Sequence, residues 1–335
     1  MEDKILEEVR KLINNNVYEA DQNFFEAGGT SMQIIELARI IYETTGKELD
    51  MTEFFSNPYI NKISFVEDNS LDIDEKKKPK ILFIHDGSGF SDSYRHFYSL
   101  LSDDYVIERI DFPNEKKELT PQRIDVVELT KEYLNSIDDK DNIKYIFGWC
   151  IGGKIAYEMA KHLNNVEKVI IMNSPAPNVG NGNDFTLESE KSFIKENFKI
   201  PFFNLINTNT MTDLWEKVIE YYTKHTKIFQ VVKNLTPAYI KFLIPNYYSD
   251  KNTPEHYIRH LNLIRSFSVA HGLYKTTGMV SGPKFYFFNA ENENQDKDNL
   301  WENYVSDGKS YNLPGIHTDI VNKDNTETII NLINK

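Results

Sequence analysis

Apolar positions change their spacing once along this chain. In residues 2–13, Ile5, Leu6, Val9, Leu12 and Ile13 recur at helical spacing. Residues 31–45 repeat the pattern with Ile34, Ile35, Ala38, Ile41 and Tyr42, and Gly46 stops that helix. A third apolar group, Met51, Phe54 and Phe55, precedes Pro58. Together these predict a small bundle of three or four short helices, marginal in size but viable. From residue 80 the pattern differs. Short apolar runs at 80–85 (KILFIH), 105–110 (YVIERI), 143–148 (IKYIFG), 167–172 (EKVIIM) and 284–288 (KFYFF) read as strands, with helical patterns near 121–138 and 151–163. Strands alternating with helices predict crossover units and a mostly parallel sheet. Near-continuous apolar strands predict a sheet covered on both faces. Residues 182–280 break the rhythm with helical patterns and no clear strand, and read as a helical insertion. A short strand at 309–313 and a helix at 324–333 follow.

Between the two regimes lies NSLDIDEKKKPK at 69–80, which has no apolar period and ends in a lysine run before Pro79. It reads as a solvated linker. The expected organisation is a helical unit over 1–70, a linker over 71–79 and an α/β unit over 80–335. Charge sharpens this division. The 335 residues carry 38 Lys+Arg against 51 Asp+Glu, a net charge of −13. Residues 1–68 alone hold 14 acidic and 6 basic side chains, so the small unit carries most of the imbalance. That balance argues against a nucleic-acid partner, which needs clustered cations. One cysteine excludes an intrachain disulfide and a Cys-rich metal site. No run of about 18 apolar residues occurs, and MEDKILEEVR is not a signal peptide. A cytoplasmic protein with no membrane partner is the expectation.

Two places carry chemistry. The first is Ser31 in NFFEAGGTSMQIIEL, after two glycines and Thr30, at the head of a helix. By residue type alone a serine there is an N-cap and the glycines a turn. The positive helix end also suits a phosphodiester. The longer stretch DQNFFEAGGTSMQIIELARIIYETTGKELDMTEFFSNPYINKIS resembles the phosphopantetheine carrier domains of non-ribosomal peptide synthetases. Their pattern of aromatic pair, two glycines, modified serine, helix, "TGKEL" and "FF..P.I..I" occurs here in order, covering about residues 2–68. The resemblance implies a 4'-phosphopantetheine arm on Ser31, added by a separate phosphopantetheinyl transferase. Thr30 stands where His or Asp is commoner, and the double glycine favours a peptidyl carrier over a fatty-acid or polyketide one. An acidic face fits docking on basic patches of partner enzymes.

The second place is Cys150 in IKYIFGWCIGGKIAYEMAKHL. Gly148-Trp149-Cys150-Ile151-Gly152 follows an apolar strand and opens a helix, the context of a nucleophile elbow with Cys in place of the usual Ser. A helix N-terminus favours a thiolate. Chain order in such folds is nucleophile, acid, histidine. His317 in LPGIHTDIV is the expected base, with His85 at the end of the first strand as its competitor. After the strand EKVIIM stands Asn173 where an Asp is usual. Either the acid lies at Glu291 or Glu293 after KFYFF, or the set is Cys-His-Asn. A thiol paired with His can rest as thiolate and imidazolium, so orientation by an amide suffices, and Asn173 is favoured. Backbone N–H groups of Gly87, in HDGSGF, and of Ile151 are the expected oxyanion hole.

Residues 80–335 resemble the thioesterase domains that end peptide and polyketide synthases, on FIHDGSG, GWCIGGKIAYEMA and PGIHTDIV. Asp86 departs from the family's Pro, Ser88 from a Gly and Cys150 from the Ser. The resemblance implies an α/β-hydrolase domain whose insertion at about 182–280 forms a lid. The expected function is terminal chain release in peptide biosynthesis. A chain carried on Ser31 passes to Cys150, then leaves by cyclisation, aminolysis or hydrolysis. The expected partners are upstream synthetase modules and the carrier-bound acyl or peptidyl substrate. The alternatives are an editing thioesterase that clears carriers and a non-catalytic docking scaffold. The acyl chain, the choice of water or ring, the oligomeric state, and whether the chain is an excised fragment or a stand-alone subunit stay open.

Overall fold

Side-chain alternation along the strand runs decides which face each residue covers. The computed structural model describes residues 2–13, 15–30, 33–45, 47, 49–50, 53–54, 57–65, 78–178, 182–201, 207–249, 252–291 and 300–334. The chain divides into two units, Met1–Lys77 and Lys78–Lys335.

In the first unit, α1 (Glu2–Leu12) and α2 (Gln33–Thr45) are joined by a loop, and a 3-10 turn covers Ile60–Lys62. Ile5, Val9, Ile34, Leu37, Ile41, Tyr18, Phe24 and Phe54 form its core. The buried stripe of α2 runs through 34, 37 and 41, one face of a 3.6-residue period. Tyr42 therefore points outward and is 56% exposed, contrary to the expected face. A Cβ on Gly29 would collide with the Phe24 ring, so the loop before α2 can pass there only as glycine. Met51 and Phe55 of the expected third helix lie outside the described residues.

The second unit is one parallel sheet. Its strands are β1 (Lys80–Ile84), β2 (Val106–Ile110), β3 (Ile143–Trp149), β4 (Lys168–Met172), β5 (Lys284–Ala290) and β6 (Gly308–Leu313), in spatial order 2-1-3-4-5-6. All neighbours pair parallel, with Ile84 beside Gly148 and Trp149 beside Met172. Ile81, Phe83, Phe147, Ile170 and Phe288 face one buried cluster. Leu82, Ile84, Ile146, Val169, Ile171 and Phe287 face the other. Covering the sheet are α3 (Arg95–Leu101), α4 (Val126–Ser136), α5 (Ile151–Ala160) and, after an insertion, α11 (Lys323–Ile333). The insertion holds α6 (Leu187–Asn197), α7 (Met211–Lys224), α8 (Thr226–Leu235), α9 (Ala238–Leu243) and α10 (Pro254–Leu273).

Two differences from the sequence reading have local causes. The helix expected from 121 starts at Val126, because the Asp125 carboxylate accepts from the N–H groups of Val127 and Glu128 and so defines the first turn. The seven residues of α3 carry too few turns to show a period. Among the described residues no helix is long and apolar enough to cross a membrane. Nor do they hold any cluster of three or more His, Cys, Asp or Glu suited to a metal ion.

Candidate active site

Strand order reverses direction between β1 and β3, and the crevice above the carboxyl ends of a parallel sheet at such a point is where ligands bind. Gly87 lies three residues past β1, Cys150 one past β3 and Asn173 one past β4. All three, with Ile151 and His317, line one cavity of about 200 Å3.

The turn at Cys150 is strained, with φ 57° and ψ −124°, a region that costs a β-carbon residue about 1–3 kcal/mol. Its surroundings hold it. Cys150 N–H donates to the Met172 carbonyl at 3.0 Å. Trp149 N–H donates to the Tyr94 hydroxyl at 2.6 Å, and that hydroxyl donates to the Ile84 carbonyl at 2.8 Å. Close approach explains the glycines on either side. A Cβ on Gly148 would collide with the Gly152 carbonyl, and one on Gly152 would sit 2.6 Å from the His85 oxygen and 2.9 Å from that of Ile84. Ile151 is the first residue of α5, so its N–H has no partner four residues back and points out of the helix start. A Cβ on Gly87 would meet only Leu243, at 3.8 Å. The protein itself does not demand a glycine there, and the space belongs to the cavity.

His317 opens a 3-10 turn after β6, and its ring lies 5.1 Å from the buried Trp149 ring. Asn173 has φ 45°, its N–H donates to the Phe288 carbonyl at 2.7 Å, and its Oδ1 accepts from Ala290 N–H at 3.0 Å. With the oxygen so engaged, the amide turns Nδ2 toward His317 Nδ1 at 2.7 Å. The amide thus offers His317 Nδ1 a donor. Of the alternative acids, Glu291 is exposed and does not line the cavity, and Glu293 lies outside the described residues. His85 is fully buried beneath the loop. Its Nδ1 bonds the Asp86 carbonyl and its Nε2 the Tyr133 hydroxyl, both at 2.7 Å, and burial pushes the imidazole down to about 4. It does not line the Cys150 cavity.

Sequence reasoning assigned no role to three neighbours. Tyr239 and His271, from α9 and α10, line the same cavity. Burial, then the charges of Lys154 and His317, hold the His271 imidazole well below its ordinary range. Lys154 is 1% exposed on α5 and donates to the His271 carbonyl at 2.6 Å; burial pushes its ammonium down to about 8. On a helix that also carries Glu158 it reads locally as a solvated cation, so the sequence held no signal for it. Asp86, where the related pattern has Pro, is buried. It accepts from Ser88 N–H at 2.7 Å and from the Ser93 hydroxyl, fixing the turn that carries Gly87. Burial raises its carboxyl above the usual range, opposed by those bonds and by the charge of His317.

In the first unit, Ser31 lies outside the described residues, but its surroundings can be tested for a phosphopantetheine arm. Gln33 N–H donates to the Thr30 hydroxyl at 3.3 Å and Thr30 N–H donates to Gln33 Oε1 at 2.9 Å, a reciprocal capping box. Thr30 thus supplies the cap contact. A Cβ at Gly28, where φ is +107°, would meet nothing within 4 Å. A helix start whose cap contact comes from Thr30 does not require the Ser31 hydroxyl as its cap, which fits a phosphodiester on that serine.

A doubly covered parallel sheet with a strained cysteine turn after its third strand, facing a histidine beyond its last, is an α/β-hydrolase domain. The chain belongs to the thioesterase domain family, which residues 79–335 match, while residues 3–64 match the phosphopantetheine attachment site family. It is a carrier–thioesterase didomain, and its first unit is of the kind that bears covalent phosphopantetheine. The nonribosomal peptide synthetase acrB of Aspergillus aculeatus is 45% identical over 42 residues, 12% of this chain and 3% of that protein. A dimodular nonribosomal peptide synthase of Bacillus subtilis is 24% identical over 158 residues, 43% of this chain and 7% of that protein. The chain therefore spans under a tenth of either relative. A solved four-domain nonribosomal peptide synthetase, in its holo form with AMP and glycine, shares the fold with a TM-score of 0.53 and 16% identity, over 99% of this chain and 26% of that one.

Proposed function

We propose that the protein releases finished acyl or peptidyl chains from a peptide-synthetase assembly line, with Cys150 as nucleophile. The observation that carries this reading is the single cavity lined by Cys150, His317, Asn173, Gly87 and Ile151 in a chain that also contains a carrier unit. The arm on Ser31 supplies the thiol to which the chain is joined as a thioester. The protein's own groups do the rest. Cys150 gives its thiol proton to His317 and its Sγ attacks the thioester carbonyl while the Gly87 and Ile151 N–H groups receive the developing oxyanion. The C–S bond to the carrier thiol breaks, His317 returns a proton to that thiol, and a thioester remains on Cys150. Water, or an amine or hydroxyl of the chain, then attacks with its proton passing to His317, and Cys150 leaves as thiolate. Thioester-to-thioester transfer is nearly isoenergetic, so the enzyme-bound chain keeps acylating power, which suits cyclisation or aminolysis. Upstream synthetase modules and a phosphopantetheinyl transferase are the partners this requires.

Intact-protein mass spectrometry after phosphopantetheinylation and acyl loading tests the reading. The arm should appear in wild type and be lost in Ser31→Ala. Acyl mass should reach Cys150 and stay on the arm in Cys150→Ala. Cys150→Ser should shift products toward hydrolysis, and unchanged partitioning would overturn the cyclisation preference. A chain that never acylates Cys150, with a thiol inert to iodoacetamide, would replace release by a scaffold role.

A further inference from the structure

In a chain with 51 acidic against 38 basic side chains, one cavity of the α/β unit is lined by a lysine and an arginine and by no carboxylate. Its volume is about 640 Å3, and Lys117, Arg259, His256, His260, Asn114 and Phe90 contribute to its wall. It borders the nucleophile's cavity along three shared segments. The loop after β1 gives Phe90 to one and Gly87 to the other. The end of α9 and the loop after it give Pro245 and Leu243, and α10 gives Leu263 and Ile264.

Lys117 is its focus. Its ammonium lies 3.4 Å from the Phe90 ring centroid and donates to Asn114 Oδ1 at 2.9 Å. Its neighbour Lys116 is paired with Glu132, whereas among the described residues no carboxylate hydrogen-bonds to Lys117, on which Asp111 acts only through its charge. Burial pushes the Lys117 ammonium down to about 8, which leaves it a cation at neutral pH that gains from an anion beside it. Arg259 brings a second cation, its Nη1 donating to the Lys117 carbonyl at 3.4 Å while Nε is held by Glu255 at 2.9 Å. His256 donates through Nε2 to the Pro245 carbonyl and His260 through Nδ1 to the His256 carbonyl, each at 2.8 Å, so both rings are fixed in orientation.

A half-buried cation on an aromatic floor, beside a second cation ion-paired to Glu255, makes an anion site. Its border with the nucleophile's cavity selects the anion. We propose that this cavity binds the phosphate ester of the pantetheine arm that presents the thioester to Cys150, with Lys117 as principal contact and Arg259 as second. This rests on the release reading above. The same pantetheinyl phosphate occurs on a carrier and in coenzyme A, and the test separates them.

The full chain bearing Ser31→Ala, which lacks an arm of its own, is titrated calorimetrically with pantetheine, 4'-phosphopantetheine and coenzyme A. The phosphate should tighten binding about tenfold over pantetheine, as a charge-assisted bond allows. Lys117→Met or Arg259→Gln should shrink that preference to under about threefold, and added salt should shrink it too. Two variants are used so that a folding defect in one, seen by its thermal midpoint, leaves the other decisive. Lys131→Met, at an exposed position of α4, should leave the preference intact. Coenzyme A binding no tighter than 4'-phosphopantetheine assigns the site to the carrier arm. Binding that needs the nucleotide overturns the proposal, as does equal affinity for pantetheine and its phosphate, or a preference that survives both substitutions. Wild-type turnover of an acyl N-acetylcysteamine thioester, which lacks the phosphate, reports separately on the release reading. Its absence beside an intact phosphate preference refutes release and not the site.

Discussion

Asn173 bridges the Ala290 N–H and His317 Nδ1, and one substitution isolates what that does. Its Oδ1 accepts Ala290 N–H at 3.0 Å while its Nδ2 faces His317 Nδ1 at 2.7 Å. On the proposed mechanism, once Cys150 has surrendered its proton His317 carries one at each nitrogen, and Nδ1–H then meets an amide N–H. Relief requires the amide to turn over, which gives up the Ala290 bond. A carboxylate accepts from Ala290 and His317 together. Asn173→Asp should therefore raise kcat/KM for an acyl N-acetylcysteamine thioester. Exchanging the donor–donor contact for a charge-assisted hydrogen bond is worth about 1.5–3 kcal/mol, or about 10- to 150-fold in rate. A carboxylate beside imidazolium stabilises the charged ring, so the limb of the pH–rate profile that reports its deprotonation moves to higher pH, by about one unit or more. Position 173 is 1% exposed, so the new charge costs some stability, and the unfolding midpoint of each variant is measured alongside. The assay compares wild type, Asn173→Asp and Asn173→Ala across about pH 5 to 9. If the folded Asp variant is no faster, and the Ala variant equals wild type, the Asn173–His317 contact has no catalytic weight and the reasoning fails.

Two further outcomes follow from the same geometry. Gly152→Ala places a methyl 2.6 Å from the His85 carbonyl oxygen and 2.9 Å from that of Ile84, so β1 and α5 must separate. A loss of about 2–3 kcal/mol in urea unfolding is expected, and a wild-type midpoint would show that the elbow has slack. Burial holds His85 at about 4, His260 at about 4 and His271 well below its ordinary range, against about 6.5 when unfolded. The unfolded state then binds more protons between about pH 4 and 6.5, so stability is fully present above that window and is lost as pH falls through it. His85 alone contributes about 3 kcal/mol or less, and His85→Gln should flatten the slope. Denaturant midpoints that stay level from pH 7 to about pH 5 would contradict this.

The α/β fold class was legible because strand and helix periods differ and the four inner strands, β1, β3, β4 and β5, are buried on both faces. Phe83 and Ile84 go to opposite clusters, yet both read as apolar. The turn at Cys150 was legible because its parts are neighbours in sequence, and the demand at Gly148 is set by the Gly152 carbonyl only four residues away. What lines the cavity from the insertion was not. Tyr239 and His271 reach it through the packing of α9 and α10, and no local rule places one helix of an insertion against another. Lys154 shows the same limit. A lysine on a helix reads as a solvated cation, and only the carbonyl of His271, 117 residues on, gives it a buried partner. Asn173 shows it most sharply. The residue type was plain, and the idea that orientation by an amide suffices for a thiolate–imidazolium pair followed from residue types alone. Which end of the amide meets His317 is decided by Ala290 N–H, also 117 residues away, which takes the oxygen and leaves the nitrogen for the histidine. The chemistry at 173 therefore depends on strand β5 as much as on the residue itself, and a sequence pattern that names only the triad does not contain it.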